Sequence, residues 1–317
     1  MDSLTQAALG GAIGELLLGK KTGKRGAIVG AIIATIPDLD IILIPFCNDL
    51  QRITVHRAYS HSIVFSIIGA IIISFILSKI KSFKEISFIR LYIFSWLALF
   101  THMLLDAFTT YGTQLFLPFS DYRVGFDSIN IVDPFYTLPL LVGLLITLYS
   151  KNQNKSRFNK IGLLVSTFYL MFTLGIKQFV NGKFETSLKK QKIEQFDLLS
   201  VPVNIGSVSW YGVAKTKDSI YLGKYSFLKN QSPIHYESFP VNDTLLNILD
   251  PNLADRLKWF SKGFYTVVKD KDKIRLYSLQ VDMRGIKQIG KYKAPTVGFF
   301  EITSNPDKSY KLQYKEH

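Results

Sequence analysis

Four stretches of this sequence are apolar over nearly the length of a bilayer span: residues 26–46, 62–80, 90–108 and 160–181. A span needs about 20 such residues. Inside lipid every backbone N–H and C=O must find a partner within the protein, and helices satisfy that locally. Segments 3–19 and 131–149 are shorter or more mixed and bring the set to six. The expected architecture is a polytopic α-helical membrane domain of six helices over residues 1–181. Its first helix either spans or re-enters. That helix is not an ordinary signal peptide, because it follows Asp2 and has no basic n-region. Residues 182–317 have no comparable run and read as a small soluble α+β domain.

Charge orients the helices. Lys20, Lys21, Lys24 and Arg25 follow helix 1; Lys79, Lys81, Lys84 and Arg90 separate helices 3 and 4; Lys151, Lys155, Arg157 and Lys160 separate helices 5 and 6. The opposite short loops hold only Arg52, Arg57 and Arg123. The positive-inside rule places the first group in the cytoplasm, so residues 182–317 are expected on the extracytoplasmic side of the inner membrane. The net charge of +14 suits anionic lipid. With no nucleic-acid motif in the chain, no nucleic-acid partner is expected. Cys47 is the single cysteine, which excludes an intrachain disulfide and a cysteine metal cage.

Three clusters of ionisable groups interrupt the apolar sequence: P-D-L-D (Pro37 to Asp40), H-R-A-Y-S-H-S (His56 to Ser62) and H-M-L-L-D (His102 to Asp106). Ionisable residues at membrane depth are costly and mark sites. Asp38 and His102 each lie twelve residues from the cytoplasmic end of their helix, about 18 Å at 1.5 Å per residue. His56 and His61 precede helix 3 at its outer end, and Asp2, Gln6 and Asp133 open helices at that same level. The clusters therefore fall in one layer near the outer surface.

The residue types point to a divalent metal. His102 and Asp106, spaced i, i+4, share a helix face and can hold one ion; a plainer His–Asp hydrogen bond is the alternative. Pro37 removes a backbone donor, so helix 2 should break there and present Asp38 and Asp40 from irregular backbone. Two carboxylates this close need a cation or a shared proton between them, although capping of a helix end is the simpler role. His56 and His61 add imidazoles, Ser60 and Ser62 are candidate caps of helix 3, and Arg57 suits bidentate phosphate contact. Asp38, Asp40, His56, His61, His102 and Asp106 are thus six candidate ligands for one or two ions, Zn²⁺ or Mn²⁺ by ligand type. The outer loop from Asp106 to Asp133 is rich in aromatics and offers Arg123 for a phosphate and Asp133 as a ligand or a cap. Glu15 lies outside this layer and reads as snorkelling or paired with Lys20 or Lys21. The small residues Ala7, Ala8, Gly10, Gly11 and Gly14 invite close approach of another helix.

In the soluble part, residues 183–196 continue helix 6 as a charged amphipathic stretch. Alternation predicts hairpins at 208–213 with 219–227, 264–268 with 274–281, and 297–303 with 310–314. Asp250 and Pro251 open a helix between them. This part holds His235 but no catalytic constellation, and is either a lid over the outer site or a structural appendage.

Taken in order, M-D-S-L-T-Q, G-A-I-I-A-T-I-P-D-L-D, H-R-A-Y-S-H-S, H-M-L-L-D-A-F-T-T-Y-G-T and L-P-F-S-D-Y-R through I-V-D-P resemble the YdjM family of predicted membrane-bound metal-dependent hydrolases, across residues 1–149. The resemblance implies a phospholipase-like hydrolase with Asp38, Asp40, His56, His61, His102 and Asp106 as metal ligands. A LexA-binding role also described for that family would require an intracellular partner, which the outward topology argues against. The sequence as a whole points to hydrolysis of a phosphoester on a membrane lipid or lipid-linked substrate by metal-activated water. In that scheme Asp40 is a general base, and Arg57 and Arg123 neutralise phosphate. An ion- or proton-coupled transporter and a non-catalytic metal-binding receptor are the competing classes.

Overall fold

The computed structural model describes residues 1–203, 205–229, 233–270, 273–280, 286–289, 292–304 and 310–316. They form two compact units, Met1–Pro45 with Val55–Leu174, and Phe46–Thr54 with Gly175–His317.

The first unit is helical. Asp2 caps α1 (Ser3–Thr22) by accepting from Thr5 N, and Gly23 ends it in the left-handed region with φ 59°. The chain turns directly into α2 (Lys24–Thr35). Where the two helices cross, a Cβ on Gly10 would stand 2.2 Å from Gly30 O, and one on Gly14 would stand 2.1 Å from Gly26 O. Side chains would hold these backbones apart, so the glycines are what let them touch. α2 stops at Thr35, two residues before Pro37, and the chain runs on as a ten-residue 3₁₀ segment, Pro37–Phe46. This is unusually long for 3₁₀ geometry and matches the break expected at Pro37. After α3 (Asp49–Val55) and a single 3₁₀ turn (Tyr59–His61) come α4 (Ile63–Lys79), α5 (Phe88–Ala107), α6 (Pro134–Tyr149) and the long α7 (Ser156–Lys190). α5 is the central helix; its Leu91, Phe94, Ala98, Leu99 and Met103 are wholly buried.

Among the described residues three helices are long and apolar enough to cross a membrane: Lys24–Phe46, Phe88–Ala107 and Ser156–Lys190. A fourth span results if Gln51–His61 and Ile63–Lys79, bent by 54°, are one, and Pro134–Tyr149 is apolar but shorter. α4 turns Ile68, Ile72, Phe75 and Ile76 outward, the reverse of a water-facing helix. Glu15 departs from its expected pairing: its Oε2 accepts from Asn159 Nδ2 at 2.7 Å. Asp133 caps α6, accepting from Phe135 N at 3.0 Å and Tyr169 Oη at 2.8 Å.

The second unit is built on antiparallel sheets. β1 (Asp197–Pro202), β2 (Ser209–Lys215), β3 (Ser219–Ser226) and β4 (Tyr236–Pro240) follow in that order in one sheet. Val180 and Phe184, from the C-terminal part of α7, pack with Trp210 and Ile234 beneath it. α8 (Pro251–Phe260) is capped by Asp250, which accepts from Asn252 N and Leu253 N. A second sheet has the order β10-β9-β6-β5, from β5 (Tyr265–Asp270), β6 (Lys273–Ser278), β9 (Gly298–Ser304) and β10 (Tyr310–Glu316). β7 (Lys287–Ile289) and β8 (Tyr292–Ala294) form a separate ribbon. The three expected hairpins are the pairs β2–β3, β5–β6 and β9–β10. The turn residues Lys271, Asp272 and Asn305–Asp307, and Val281 at the expected end of β6, lie outside the described residues.

Candidate metal centre

Three elements of the first unit bring four ligand-type side chains together. Asp38 comes from the 3₁₀ segment after the break at Pro37, His61 from the 3₁₀ turn ahead of α4, and His102 and Asp106 from one face of α5. One ligand atom from each lies within 4.8 Å of all the others, and the group can hold a metal ion. His61 Nε2 and His102 Nε2 are 3.2 Å apart. Asp38 Oδ1 is 3.4 Å from both, and Asp106 Oδ2 is 3.4 Å from His61 Nε2 and 3.8 Å from His102 Nε2. All but Asp38 are buried.

The hydrogen bonds behind the histidines fix what these atoms present. His102 Nδ1 lies 2.5 Å from the Ala34 carbonyl. A carbonyl only accepts, so Nδ1 carries the proton and a neutral ring turns the Nε2 lone pair inward. Ser60 Oγ donates to Asp40 Oδ2 at 2.8 Å and accepts from His61 Nδ1 at 2.9 Å. On a neutral His61 ring, Nε2 is then the acceptor as well. With both rings neutral, two imidazole lone pairs and two carboxylate oxygens converge, and the Arg57 guanidinium lies against one of those oxygens, Asp106 Oδ2. A proton relieves one such pair of atoms; a divalent cation relieves all four. Tetrahedral bonds of about 2.0–2.1 Å separate neighbouring ligands by about 3.3–3.4 Å, close to the separations found here. The donor set therefore fits a metal ion.

Asp40 and His56 stand beside the group. Asp40 Oδ1 bonds His56 Nδ1 at 2.8 Å; Oδ2 accepts from Arg57 N at 3.0 Å and Ser60 Oγ, and lies 3.4 Å from His61 Nδ1. A carboxylate behind a histidine is how metal-binding imidazoles are oriented. Arg57 holds a left-handed φ of 61°, a rare conformation outside glycine. That turn aims its N–H at Asp40. Its guanidinium Nε lies 3.1 Å from Asp106 Oδ2, and its Nη1 donates to Thr109 Oγ1 at 2.9 Å. Arg57 and Arg123 both lie over the Tyr111 ring, at 5.0 Å and 4.7 Å, and Arg123 donates to the Tyr111 carbonyl. Burial pushes the Arg123 guanidinium down to about 10, so it is charged at neutral pH. Ser62, not Ser60, caps α4, accepting from Phe65 N at 3.1 Å.

Gln6, which the sequence places in the same outer layer, reaches the cluster, and the Met1 amino group and the Ala34 carbonyl join it with no sequence signal. Gln6 Nε2 donates to Asp106 Oδ1 at 3.0 Å and to the His102 carbonyl at 3.2 Å. The Met1 amino group also lies against Asp106 Oδ1. The Ala34 carbonyl is a backbone group, and no residue type announces it.

A helical unit with helices apolar enough to cross a membrane and a buried His/Asp cluster define the class: a helical protein with a candidate metal centre. Residues 1–180 match the family described as YdjM inner membrane protein, and the chain belongs to it. It is 26% identical to the uncharacterized protein YfhP of Bacillus subtilis (strain 168), over 71% of this chain and 68% of that one. It is 31% identical to the inner membrane protein YbcI of Escherichia coli (strain K12), over 38% of this chain and 69% of that one. No solved structure matches.

Proposed function

We propose that this protein is an inner-membrane metal-dependent hydrolase whose site faces the extracytoplasmic side and cleaves a phosphoester of a lipid or lipid-linked substrate. The observation that carries the reading is the convergence of four ligand atoms of Asp38, His61, His102 and Asp106 beside a buried arginine. A divalent ion, Zn²⁺ or Mn²⁺, supplies Lewis acidity and lowers the pKa of a water. The protein's residues do the rest. Asp40 and the Ala34 carbonyl hold His61 and His102 in register. Arg57, tied to Asp106 and Thr109, brings positive charge to the site, and Arg123 adds a second cation across Tyr111. The Asp40–His56 pair, with the His56 side chain 27% exposed, is the base that takes the proton from the attacking water. Six helices form the membrane domain in this reading, with α1 and α6 completing the longer spans.

The experiment pairs metal analysis of purified wild-type and His102→Ala protein with a hydrolysis screen over phospholipids and lipid-linked phosphates. The expected result is stoichiometric metal and turnover in the wild type and neither in the variant. Absence of stoichiometric metal together with unchanged hydrolysis in His102→Ala sinks the proposal.

A further inference from the structure

The second unit contains a cavity of about 610 Å³ between the C-terminal part of α7 and the end of β3. Lys183 and Lys190 lie on its α7 wall, Lys229 on the segment after β3, and Phe227, Leu228 and Ile234 supply apolar lining. Among the described residues no Asp or Glu lines it. On α7, Lys183, Ser187 and Lys190 are spaced i, i+4, i+7 and so share one face. Among the described residues no carboxylate forms an ion pair with these three lysines; Lys183 Nζ instead lies 5.0 Å from the centre of the Phe179 ring. Leu228 is 82% exposed although it adjoins this cavity. The volume falls in the range of small-molecule sites, about 300–1,000 Å³.

Three uncompensated ammonium groups on one cavity repel one another and favour a multiply charged anion. The apolar share of the wall offers a bare inorganic ion nothing. From this pairing we infer that the cavity binds an anionic amphiphile, with a phosphate-type headgroup among Lys183, Lys190 and Lys229 and its apolar portion against Phe227, Leu228 and Ile234. The site shares no residue with the His/Asp group and does not depend on the hydrolase reading.

The test measures binding to the purified full-length chain by calorimetry, using short-chain phosphatidic acid, short-chain phosphatidylcholine and inorganic phosphate as probes. Phosphatidic acid should bind best. The combined variant Lys183→Met, Lys190→Met, Lys229→Met should weaken it by about tenfold or more, since each cation near an anionic headgroup contributes measurably. Leu228→Asn should weaken phosphatidic acid and leave inorganic phosphate unchanged. Raised salt should weaken phosphatidic acid binding to the wild type, a readout that needs no variant to fold. Equal affinity of wild type and lysine variant for phosphatidic acid overturns the site. Inorganic phosphate binding as tightly as phosphatidic acid, with Leu228→Asn silent, overturns the amphiphile and leaves a plain anion site.

Discussion

Asp40→Asn discriminates the geometry proposed here from a simpler one in which every acidic residue of the cluster touches the metal. The substitution preserves shape and removes charge. Asp40 accepts from Arg57 N at 3.0 Å and Ser60 Oγ at 2.8 Å through Oδ2, and bonds His56 Nδ1 at 2.8 Å through Oδ1. An NH₂ at the Oδ2 position faces two donors, Arg57 N and Ser60 Oγ; at the Oδ1 position it requires His56 Nδ1 to accept. In the first placement the Ser60 link that keeps the proton on His61 Nδ1 is lost. With the carboxylate gone, His61 is a weaker and less firmly oriented ligand, but its Nε2 still reaches the group. Loss of such an outer partner typically weakens metal binding about 10- to 100-fold, or about 1.4–2.7 kcal/mol. His102→Ala, by contrast, deletes one of the four converging atoms and should abolish stoichiometric binding. Chelator competition on purified wild type, Asp40→Asn and His102→Ala reads both effects, with metal content checked by mass spectrometry. If Asp40→Asn binds as tightly as wild type, Asp40 does not orient His61. If it loses metal as completely as His102→Ala, Asp40 is a direct ligand and the four-atom group is incomplete.

Other consequences follow from the same structure. Gly10→Val should separate α1 from α2, because its Cβ would stand 2.2 Å from Gly30 O; overpacking of this kind costs about 1–3 kcal/mol or more, read as a lower melting temperature in detergent, and an unchanged melting point argues against the close crossing. Lys273 and Lys315 hydrogen-bond Glu301 and hold its carboxyl down to about 2, against 4.5 ordinarily. A depressed carboxyl stabilises the folded state above its unfolded pKa, so this contribution should be intact above pH 4.5 and fade as the pH falls toward 2; Glu301→Gln should flatten that part of the acid-unfolding curve, and an unaltered slope removes the assignment. A reporter fused after residue 317 should be active outside the cytoplasm, and cytoplasmic activity would invert the proposed sidedness.

The candidate centre was largely legible in the sequence because its logic is local. The i, i+4 pair His102 and Asp106 needs only a helix, and Pro37 announces the break that frees Asp38 from a smooth one. What stayed hidden depends on tertiary approach. Gln6 reaches Asp106 and Asn159 reaches Glu15 across about a third to a half of the chain, and no spacing rule connects such residues. The division of labour between Asp38 and Asp40, two residues apart on the same 3₁₀ segment, was equally invisible: it depends on which carboxylate meets His61 Nε2 and which meets Nδ1. In the second unit the three hairpins were readable from alternation, but β1 and β4 were not. Both are edge strands of the first sheet and both end in proline, Pro202 and Pro240. Proline is tolerated at such edges, yet it breaks the pattern by which strands are found.

Asp38, Asp40, His56, His61, His102 and Asp106, with Gln6 and Arg57, all fall within the 180 residues that match the family. The chemistry proposed here therefore needs none of the second unit's side chains. The similarity to YfhP covers 231 residues, more than the family match, so it runs into that second unit and takes in part of its structure as well. If the first unit carries the reaction, the second is where supply of a substrate or response to a lipid can be adjusted without touching a metal ligand. Its lysine-lined cavity is suited to that task, since neutralising Lys183, Lys190 and Lys229 changes a binding surface and leaves the His/Asp group unaltered. The two sets of substitutions should then separate: the lysines acting on affinity for an anionic amphiphile, and His102 acting on metal content.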